Sequence, residues 1–581
     1  LAVKAQSRAL HTAFAIYSVL VVVCAVVVVR RPSPSQVDTT PAPPQVRVST
    51  SAQAPARASS TSERWAERLV WIGLSFAPSS LLLGATEYVT TDIASVPLLW
   101  VVPLSLYLLS FIVAFAKREI VRVEIVSRAT ALVAALVAAI TLAGVTGPAW
   151  LVVAGHMLLL FLASVVCHRG LAQRRPHVSR LTEFYLLLSI GGVLGGAMNG
   201  LLAPFLFDDL FEYPIAIGAA CLGRAALADK PLDRRAVVRD VAVGLVIGLA
   251  TYGLVRLGAS RRIDGQGSFG WMFGVPLVFA FVWSHRPVRY AVAIGCLLFA
   301  GMSHGGHPGT TLWADRGFFG VLKVIRDRES RFLLLVSGRA LHGQQSLDPA
   351  SERTPLAYYH PTGPAGEVLG PLPEPEASLP ARRVGVIGLG VGSLAAYARP
   401  GDEWTFFEIN PAVVDVARRQ FTYVGQAERR ASVAIEIGDA RLRLRQGEAA
   451  RFDVLVLDAF SSDAVPIHLV TREALAVYRR ALKPSGQLLV HVSNDHVRLA
   501  PVFALLAKEA GMAAIDRRDE ALSAEERAQG KAPSEWVLAS SSKAELDLVI
   551  RTNAGWRPLT ASSSQSLWTD DYANVLGALR F

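Results

Sequence analysis

Cysteine is scarce in this chain, and the placement of the few that occur excludes two kinds of site. The 581 residues include four cysteines, all in or beside apolar segments: Cys24, Cys167, Cys221 and Cys296. No two of them have the Cys-x-x-Cys spacing that is typical of zinc sites and redox motifs. Neither a disulfide framework nor a metal site is therefore expected.

Charged residues are also few, at 18%, whereas hydrophobic residues make up 52%. This balance is unusual for a soluble globular protein. The formal net charge is +11, but much of the arginine and lysine lies in short clusters between apolar runs, such as Lys117-Arg118 and Arg234-Arg235. That distribution is typical of a membrane protein that follows the positive-inside rule. A nucleic-acid partner is therefore not predicted.

The apolar residues form a series of runs that are long enough, or nearly long enough, to span a bilayer. They lie at 13–29, 69–88, 97–116, 127–147, 149–167, 184–207, 211–228, 240–257, 268–284 and 288–303. The first run predicts a transmembrane anchor over 1–31, with a cleaved signal peptide as the alternative. The Pro/Ser/Ala-rich residues 32–64 predict a flexible linker, and residues 65–303 a polytopic membrane domain. The small residues at 191–196 predict a close approach of two helices.

The composition changes after residue 303. Residues 313–380 contain short runs rich in β-branched and aromatic residues, separated by glycine, which predict a small β-rich subdomain. Strand and helix patterns then alternate over 381–581. The predicted strands are 384–388, 404–408, 433–437, 453–457 and 486–492. Repeated βα units indicate an α/β domain with a doubly wound parallel sheet, whose ligand binds at the carboxyl ends of the strands.

A glycine turn follows the first of these strands. Its glycines are Gly388, Gly390 and Gly392, and Ser393 stands where a dinucleotide fingerprint would have a further glycine. This pattern favours a Rossmann-like domain of the class I kind that binds S-adenosyl compounds. Glu408 ends the second strand, where a carboxylate can accept bonds from both ribose hydroxyls. Asp439 ends the third, where it can accept a bond from the adenine amino group. The sequence thus predicts an adenosyl site.

Two carboxylates follow the fourth strand. Asp458 and Asp463 are five residues apart on a loop that lies over the expected pocket. Such a pair can hold a cationic substrate and accept its proton.

Several motifs in this order resemble spermidine synthases (polyamine aminopropyltransferases), and more closely the membrane-fused spermidine-synthase-like proteins of bacteria. They are Leu341-His342-Gly343-Gln344-Gln345, Tyr358-Tyr359-His360, the glycine turn, Glu408-Ile409-Asn410-Pro411, Gly438-Asp439 and the Asp458 loop. The resemblance implies transfer of an aminopropyl group from decarboxylated S-adenosylmethionine to putrescine. It also implies that Asp458 is the general base, that Gln345 and Tyr359 line the amine pocket, and that Asp463 helps to hold the amine.

The chain departs from the family pattern at three places. His342 replaces the usual aspartate of the first motif, Pro361 replaces the glutamate of the second, and the two loop carboxylates are more widely spaced than usual. Two alternatives to aminopropyl transfer therefore stay open. One is an S-adenosylmethionine-dependent methyltransferase, and the other is a transporter or sensor that binds an adenosyl compound or a polyamine without turnover.

Charge counting and chemistry make opposite predictions about sidedness. If every run crosses, the positive-inside rule places the C-terminal domain outside, whereas S-adenosyl compounds are cytoplasmic. We predict a multi-pass protein of the bacterial inner membrane with a cytoplasmic soluble domain. This placement requires either that the short runs 268–284 and 288–303 form one re-entrant or broken unit, or that another weak run does not span the membrane. The predicted partners are the lipid bilayer, a polyamine or other small amine, and a second copy that binds through the soluble domain.

Overall fold

The computed structural model of the chain describes most residues after position 60. The described ranges are 61–92, 100–118, 121–145, 148–227, 233–261, 270–302, 309–338, 340–370, 380–460, 466–494, 497–561 and 566–578. The predicted N-terminal anchor, most of the linker, and Asp463 lie outside them. The first described helix begins at Thr61, so the last residues of the predicted linker are helical.

The N-terminal half of the described chain is a bundle of helices. In chain order they are α1 Thr61–Asp92, α2 Val101–Phe115, α3 Val123–Leu142, α4 Ala149–Gln173, α5 Leu181–Ala197, α6 Glu212–Leu222, α7 Arg234–Arg261, α8 Val275–Val282 and α9 Pro287–Met302. Helix α5 continues through a π-helical turn, Met198–Leu202, to a last turn at Ala203–Leu206, and a second π-helical turn, Gly270–Gly274, precedes α8.

Five helical segments of the bundle are long and apolar enough to cross a membrane. They are Glu63–Thr90, Val123–Leu142, Trp150–Gln173, Val178–Leu206 and Arg234–Gly258. Three further apolar segments are shorter, namely Val101–Phe115, Gly270–Val282 and Pro287–Met302. The last two of these are separate helices, joined by a turn near residue 285.

The small-residue segment packs as predicted. A Cβ atom added to Gly191 would overlap the carbonyl oxygen of Ile72, and one added to Gly195 would lie 2.5 Å from the carbonyl oxygen of Phe76. Helices α1 and α5 therefore approach closely along this stripe, because glycine leaves room for the facing backbone.

The two ends of the bundle differ in their charged residues. At the amino end of α1, Arg68 pairs with Glu183 and Arg180 with Glu67, at 2.6 and 2.9 Å. Further arginines join this end by hydrogen bonds from Arg174 to the Ala226 carbonyl and from Arg224 to the Ser284 carbonyl. We call it the arginine-rich end. The carboxyl end of α1 lies at the opposite end of the bundle, which we call the docking end.

A four-stranded antiparallel meander follows the bundle. Its strands are β1 Gly309–Gly317, β2 Gly320–Asp327, β3 Phe332–Ser337 and β4 Ala340–Ser346, in that spatial order. Arg316 of β1 is buried at the docking end, where it makes a bidentate ion pair with the buried carboxylate of Glu212 at 2.7 and 3.0 Å. The meander is thereby attached to the bundle.

The remaining chain is an α/β domain with an eight-stranded sheet. Its strands are β5 Arg383–Ile387, β6 Glu403–Glu408, β7 Ser432–Ile437, β8 Phe452–Leu457, β9 Leu482–His491, β10 Ala513–Asp519, β11 Ser534–Ser540 and β12 Arg557–Pro558. Their spatial order is β12-β10-β11-β9-β8-β5-β6-β7. Five neighbouring strands of this order, β9-β8-β5-β6-β7, are parallel. They are the five strands that the sequence predicts.

Helices cover both faces of this sheet. After the short helix α10 Pro364–Leu369 they are α11 Pro411–Arg419, α12 Tyr423–Glu428, α13 Ala440–Gln446, α14 Arg472–Ala481, α15 Ala500–Glu509, α16 Ala524–Ala528 and α17 Lys543–Thr552. The last three strands, β10 to β12, pair antiparallel with their neighbours, so the sheet is not wholly parallel as predicted. The domain is a Rossmann-like doubly wound fold with an antiparallel edge.

Candidate active site

Three parallel strand ends meet at one edge of the sheet. The backbone N–H of Gly388, after β5, donates to the carbonyl oxygen of Phe407 in β6, at 2.9 Å. On the other side of β5, the N–H of Asp458 donates to the carbonyl oxygen of Ile387, also at 2.9 Å. The chain order reverses between β5 and β8, and such a switch point is where doubly wound sheets bind ligands.

The glycine turn has a backbone that other residues would not adopt. Gly388 and Gly390 have φ angles of 100° and 54°. A Cβ atom at Gly388 would overlap the carbonyl oxygen of Asp458, and one at Gly390 would lie 2.5 Å from the carbonyl oxygen of His342. Glycine is therefore required both by the positive φ angles and by close contact with two neighbouring segments. Gly392 also has a positive φ, of 80°.

Glu408 is buried and held against this turn. Its carboxylate accepts hydrogen bonds from the backbone N–H groups of Leu389, at 3.0 Å, and Asn410, at 2.8 Å. Burial raises the pKa of Glu408, and the backbone N–H donors partly oppose that rise. The carboxylate is thus fixed at the end of β6, beside the turn, where a ribose acceptor is needed in this fold.

Asp439 lies on the next strand end. The N–H of Gly438 donates to the carbonyl oxygen of Glu408 at 2.8 Å, so the two acids occupy adjacent strand ends. One oxygen of Asp439 caps helix α13 by accepting from the N–H of Leu442 at 2.8 Å, and the other lies 3.3 Å from Nε2 of His468. Capping fixes the orientation of this side chain. Its contact with adenine stays a prediction.

Asp458 lies at the centre of a hydrogen-bonded network. Its Oδ2 accepts from the hydroxyl of Tyr359 at 2.7 Å, and its Oδ1 lies 2.8 Å from Nδ1 of His491. Nε2 of His491 lies 2.8 Å from Oγ of Ser493. The same oxygen accepts a hydrogen bond from the N–H of Glu535 at 2.7 Å. Both oxygens of Asp458 therefore have a partner, and the structure brings Tyr359 and Asp458 together.

The same contacts indicate the tautomer of His491. The other acceptor within reach of the Ser493 proton, the carbonyl oxygen of Glu535, is 3.5 Å away. Because the contact with Nε2 is much shorter, Ser493 donates to Nε2, and the ring proton lies on Nδ1. Nδ1–H of His491 then donates to the Asp458 carboxylate. The order of residues is that of a Ser-His-Asp triad, but Ser493 is held by a backbone donor, which reduces its nucleophilicity.

Aromatic rings enclose this network. The His491 ring stacks on Trp536 with a centroid distance of 4.4 Å, and Phe460 and Tyr358 lie 4.9 and 5.0 Å from it. Because rings exclude water, the hydrogen bonds to the Asp458 carboxylate act in a low dielectric. Neither His491 nor Ser493 was predicted from the sequence as a site residue. The position of His491 at the carboxyl end of the fifth parallel strand was the signal that could have found it.

Two further groups near Asp458 are neutral at physiological pH. Burial, and then the charge of Asp458, hold the pKa of Tyr359 well above its usual value of 10.0, so its hydroxyl stays a donor. Burial lowers the pKa of His342, against the opposing effect of Asp458. Nε2 of His342 is buried and has no hydrogen-bond partner among the described residues.

Gln345 is hydrogen-bonded to two neighbouring segments. Its Nε2 donates to the carbonyl oxygen of Glu352 and to Oγ1 of Thr422, at 3.0 and 2.5 Å, and its Oε1 accepts from the N–H of Thr422 at 3.1 Å. The side chain thus connects β4 to the start of α12. Its place in an amine pocket stays a prediction. Within the described ranges there is no group of three or more residues that could hold a metal ion.

Comparison with known proteins gives partial similarities. No family model matches the chain. It is 27% identical over 215 residues to a polyamine aminopropyltransferase of Vibrio vulnificus, which covers 36% of this chain and 67% of that protein. It is also 25% identical over 333 residues to an N-terminal histidine N-methyltransferase of Emericella nidulans, which covers 52% of this chain and 58% of that protein.

Solved structures are also similar to part of this chain. A probable spermidine synthase from Corynebacterium glutamicum matches 43% of this chain and 91% of its own, with 16% identity and a TM-score of 0.30. The spermidine synthase of Thermotoga maritima matches 43% of this chain and 80% of its own, with 15% identity and a TM-score of 0.28. The relation to spermidine-synthase-like proteins rests on the sequence comparison: over about a third of its length, this chain is similar to a polyamine aminopropyltransferase.

Proposed function

We propose that the α/β domain is an aminopropyltransferase that transfers the aminopropyl group of decarboxylated S-adenosylmethionine to an amine such as putrescine. The observation on which the proposal rests is the position of Asp458. This carboxylate, whose side chain is 9% exposed, lies one strand from the glycine turn, with Tyr359 and His491 as donors. The similarity to a polyamine aminopropyltransferase supports the same reaction.

The adenosyl half of the site fits the proposed co-substrate. The glycine turn allows backbone approach, and Glu408 is a buried acceptor beside it. We assign the turn glycines, Glu408 and Asp439 to adenosyl binding. The positive charge of a sulfonium needs no further activation as a leaving group, so the protein has mainly to position the two reactants.

In the proposed step, the unprotonated nitrogen of the acceptor amine attacks the methylene carbon bonded to the sulfonium sulfur. A carbon–nitrogen bond forms, the carbon–sulfur bond breaks, and its electron pair stays on sulfur as the neutral thioether of methylthioadenosine. Because amines are mostly protonated near neutral pH, the acceptor first loses one proton, and Asp458 accepts it as general base. The nitrogen that has formed the new bond keeps its remaining protons, because the secondary ammonium is the stable form of the product near neutral pH.

Tyr359 and His491 are positioning residues in this proposal. Both donate to Asp458, at 2.7 and 2.8 Å, so they fix the direction of its oxygens. Ser493 in turn keeps the His491 proton on Nδ1. Asp463 and Gln345 are assigned to the amine pocket only by their place in the family motifs.

A methyltransferase is the second candidate, because the chain is also similar to an N-methyltransferase. The replacements at His342 and Pro361 favour it too, since a methyl donor needs no diamine pocket. Both reactions need the same adenosyl site and the same base, and they differ in the group transferred.

One experiment separates the candidates. The full-length protein is incubated with decarboxylated or ordinary S-adenosylmethionine and a panel of amines, and the products are identified by mass. Aminopropylated amine with methylthioadenosine supports the proposal, whereas methylated amine with S-adenosylhomocysteine shows a methyltransferase. Adenosyl binding without either product would instead favour the third hypothesis, a transporter or sensor with a non-catalytic domain.

The proposal requires a cytoplasmic α/β domain, because its co-substrate is made in the cytoplasm. The placement of arginine opposes this, since the meander is attached at the end of the bundle remote from the arginine clusters, and the positive-inside rule places such clusters inside. Sidedness is therefore a direct test of the function.

The other proposed partners are the bilayer around the apolar helices and a second copy through the α/β domain.

A further inference from the structure

The β1–β2 hairpin exposes two adjacent aromatic rings at its tip. The tip is Gly317-Phe318-Phe319-Gly320, in which Gly317 pairs with Gly320. Phe318 is 96% exposed, and Phe319 is 37% exposed. A single exposed apolar side chain needs no explanation, but two neighbouring phenylalanines at a hairpin tip form a patch that favours an apolar partner.

The tip is held at the docking end of the bundle by buried charges. Arg316, the residue before the tip, forms the bidentate pair with Glu212 and donates to the carbonyl oxygen of Asp209 at 3.0 Å. It also lies 3.4 Å from Glu87, near the carboxyl end of α1. On the adjacent strand, Lys323 pairs with the Asp209 carboxylate at 2.5 Å.

These contacts fix the level of the tip relative to the bilayer. Glu87 lies near the carboxyl end of Glu63–Thr90, a segment long and apolar enough to cross a membrane, and such a helix would leave the hydrocarbon region near that end. Glu212 is the first residue of α6, and Arg316 contacts both carboxylates. Phe318 is two residues beyond Arg316, which is about 7 Å along a strand. The rings are therefore within reach of the interfacial region.

Apolar residues of the bundle are exposed close to the same attachment. Phe205 and Leu206, in the last turn before the loop that contains Asp209, are 88% and 63% exposed. Exposed apolar side chains on a crossing helix face lipid, and aromatic rings are favourable at the interface. The hairpin tip lies between Arg316 and Lys323, and this turn comes shortly before Asp209 and Glu212, with which those two residues pair. One bilayer surface can therefore cover both.

We propose that the hairpin tip is a membrane-contact site, in which Phe318 and Phe319 enter the interfacial region of the bilayer. The occupant is lipid, and the soluble part then lies against the membrane surface at this tip. The proposal depends on insertion of the bundle and is independent of the reaction assigned to the α/β domain. It also requires no change in the Arg316 attachment.

The test uses the full-length protein at one copy per lipid nanodisc. A polarity-sensitive fluorophore is attached to Phe318→Cys and, as a matched control, to Leu548→Cys on helix α17. Leu548 is another apolar residue, 51% exposed. Wild-type protein treated in the same way corrects for labelling of the native cysteines. Because Phe318 contacts little of the protein, its replacement leaves the fold intact, and equal melting temperatures check this.

We expect the label at 318 to emit at shorter wavelength, to be quenched by spin-labelled lipid and to be shielded from iodide. The label at 548 should show the opposite behaviour. Equal quenching by spin-labelled lipid at the two sites would overturn the proposal. Shielding at 318 that occurs only when two copies share a nanodisc would also overturn it, because the occupant would then be a second copy.

Discussion

Replacement of Asp458 by asparagine tests the proposed chemistry most directly. The substitution keeps the size of the side chain and removes its ability to take a proton. General-base assistance contributes about 10²–10⁴-fold to the rate, which corresponds to about 2.7–5.4 kcal/mol of barrier at 1.36 kcal/mol per decade. We therefore expect the turnover of Asp458→Asn to fall by that factor.

The contacts of Asp458 predict that the variant still folds. With Oδ1 of asparagine facing Nδ1–H of His491, the amide nitrogen faces the Tyr359 hydroxyl, which can rotate to accept a hydrogen bond. The adenosyl contacts assigned to Glu408 and Asp439 lie on other strands. Adenosyl affinity should therefore stay close to that of the wild type while turnover is lost.

The assay is single-turnover transfer at saturating co-substrate, with methylthioadenosine affinity measured separately by calorimetry. Asp453→Asn is the matched control, because Asp453 lies on the same strand at its opposite end and pairs with Lys483 at 2.7 Å. Half of the wild-type activity in Asp458→Asn would show that Asp458 is only a strand-end acid. A parallel loss of affinity and turnover would show damage to the fold instead.

Four further outcomes follow from the site and the bundle. Glu408→Ala and Asp439→Ala should each weaken methylthioadenosine binding at least tenfold, or about 1.4 kcal/mol, and unchanged affinity in both would remove the adenosyl assignment. Because burial raises the pKa of Glu408, affinity should begin to fall above pH 4.5 as the medium is acidified through that pKa; Glu408→Gln should lose this dependence, and a wild-type affinity that is flat with pH would count against the assignment. His491→Gln, which keeps an N–H donor, should retain more of kcat than His491→Phe with KM unchanged, whereas equal losses would refute positioning through that donor. Fusions after Phe581 should give an active cytoplasmic fluorescent reporter and a silent phosphatase, and the reverse result would remove both the cytoplasmic placement and the proposed co-substrate supply.

The parallel half of the α/β sheet was predictable because its signals are local. Each of its strands is a short apolar run that is followed by a helix pattern, and Pro411 begins helix α11 at its first position, where proline is favoured. Since the carboxyl ends of parallel strands share one edge, the order of strands and helices along the chain is enough to place Glu408 and Asp458 near the glycine turn.

The antiparallel edge and the Asp458 network were not predictable in this way. Strand β10, Ala513–Asp519, alternates poorly between apolar and polar residues, and its strand state depends on pairing with β11. The position of His491 at a strand end is visible in the sequence, but its pairing with Asp458 is not, because the two residues are 33 positions apart along the chain. The hydrogen bonds between Gln345 and Thr422 were not predictable from a motif either, because the two residues are 77 positions apart along the chain.

The meander contacts both the helix bundle and the glycine turn. Arg316 lies on its edge strand β1 and is bound to Glu212 of the bundle, whereas His342 lies on the opposite edge strand β4 and packs against Gly390 of the glycine turn. Removal of either partner of such a buried ion pair would cost about 3–5 kcal/mol, so the attachment of the meander to the bundle depends on both residues. Any rearrangement of the helices that moves Glu212 is therefore coupled to the turn. By thermodynamic reciprocity, an adenosyl ligand that binds one arrangement more tightly changes the helix equilibrium by the same coupling free energy.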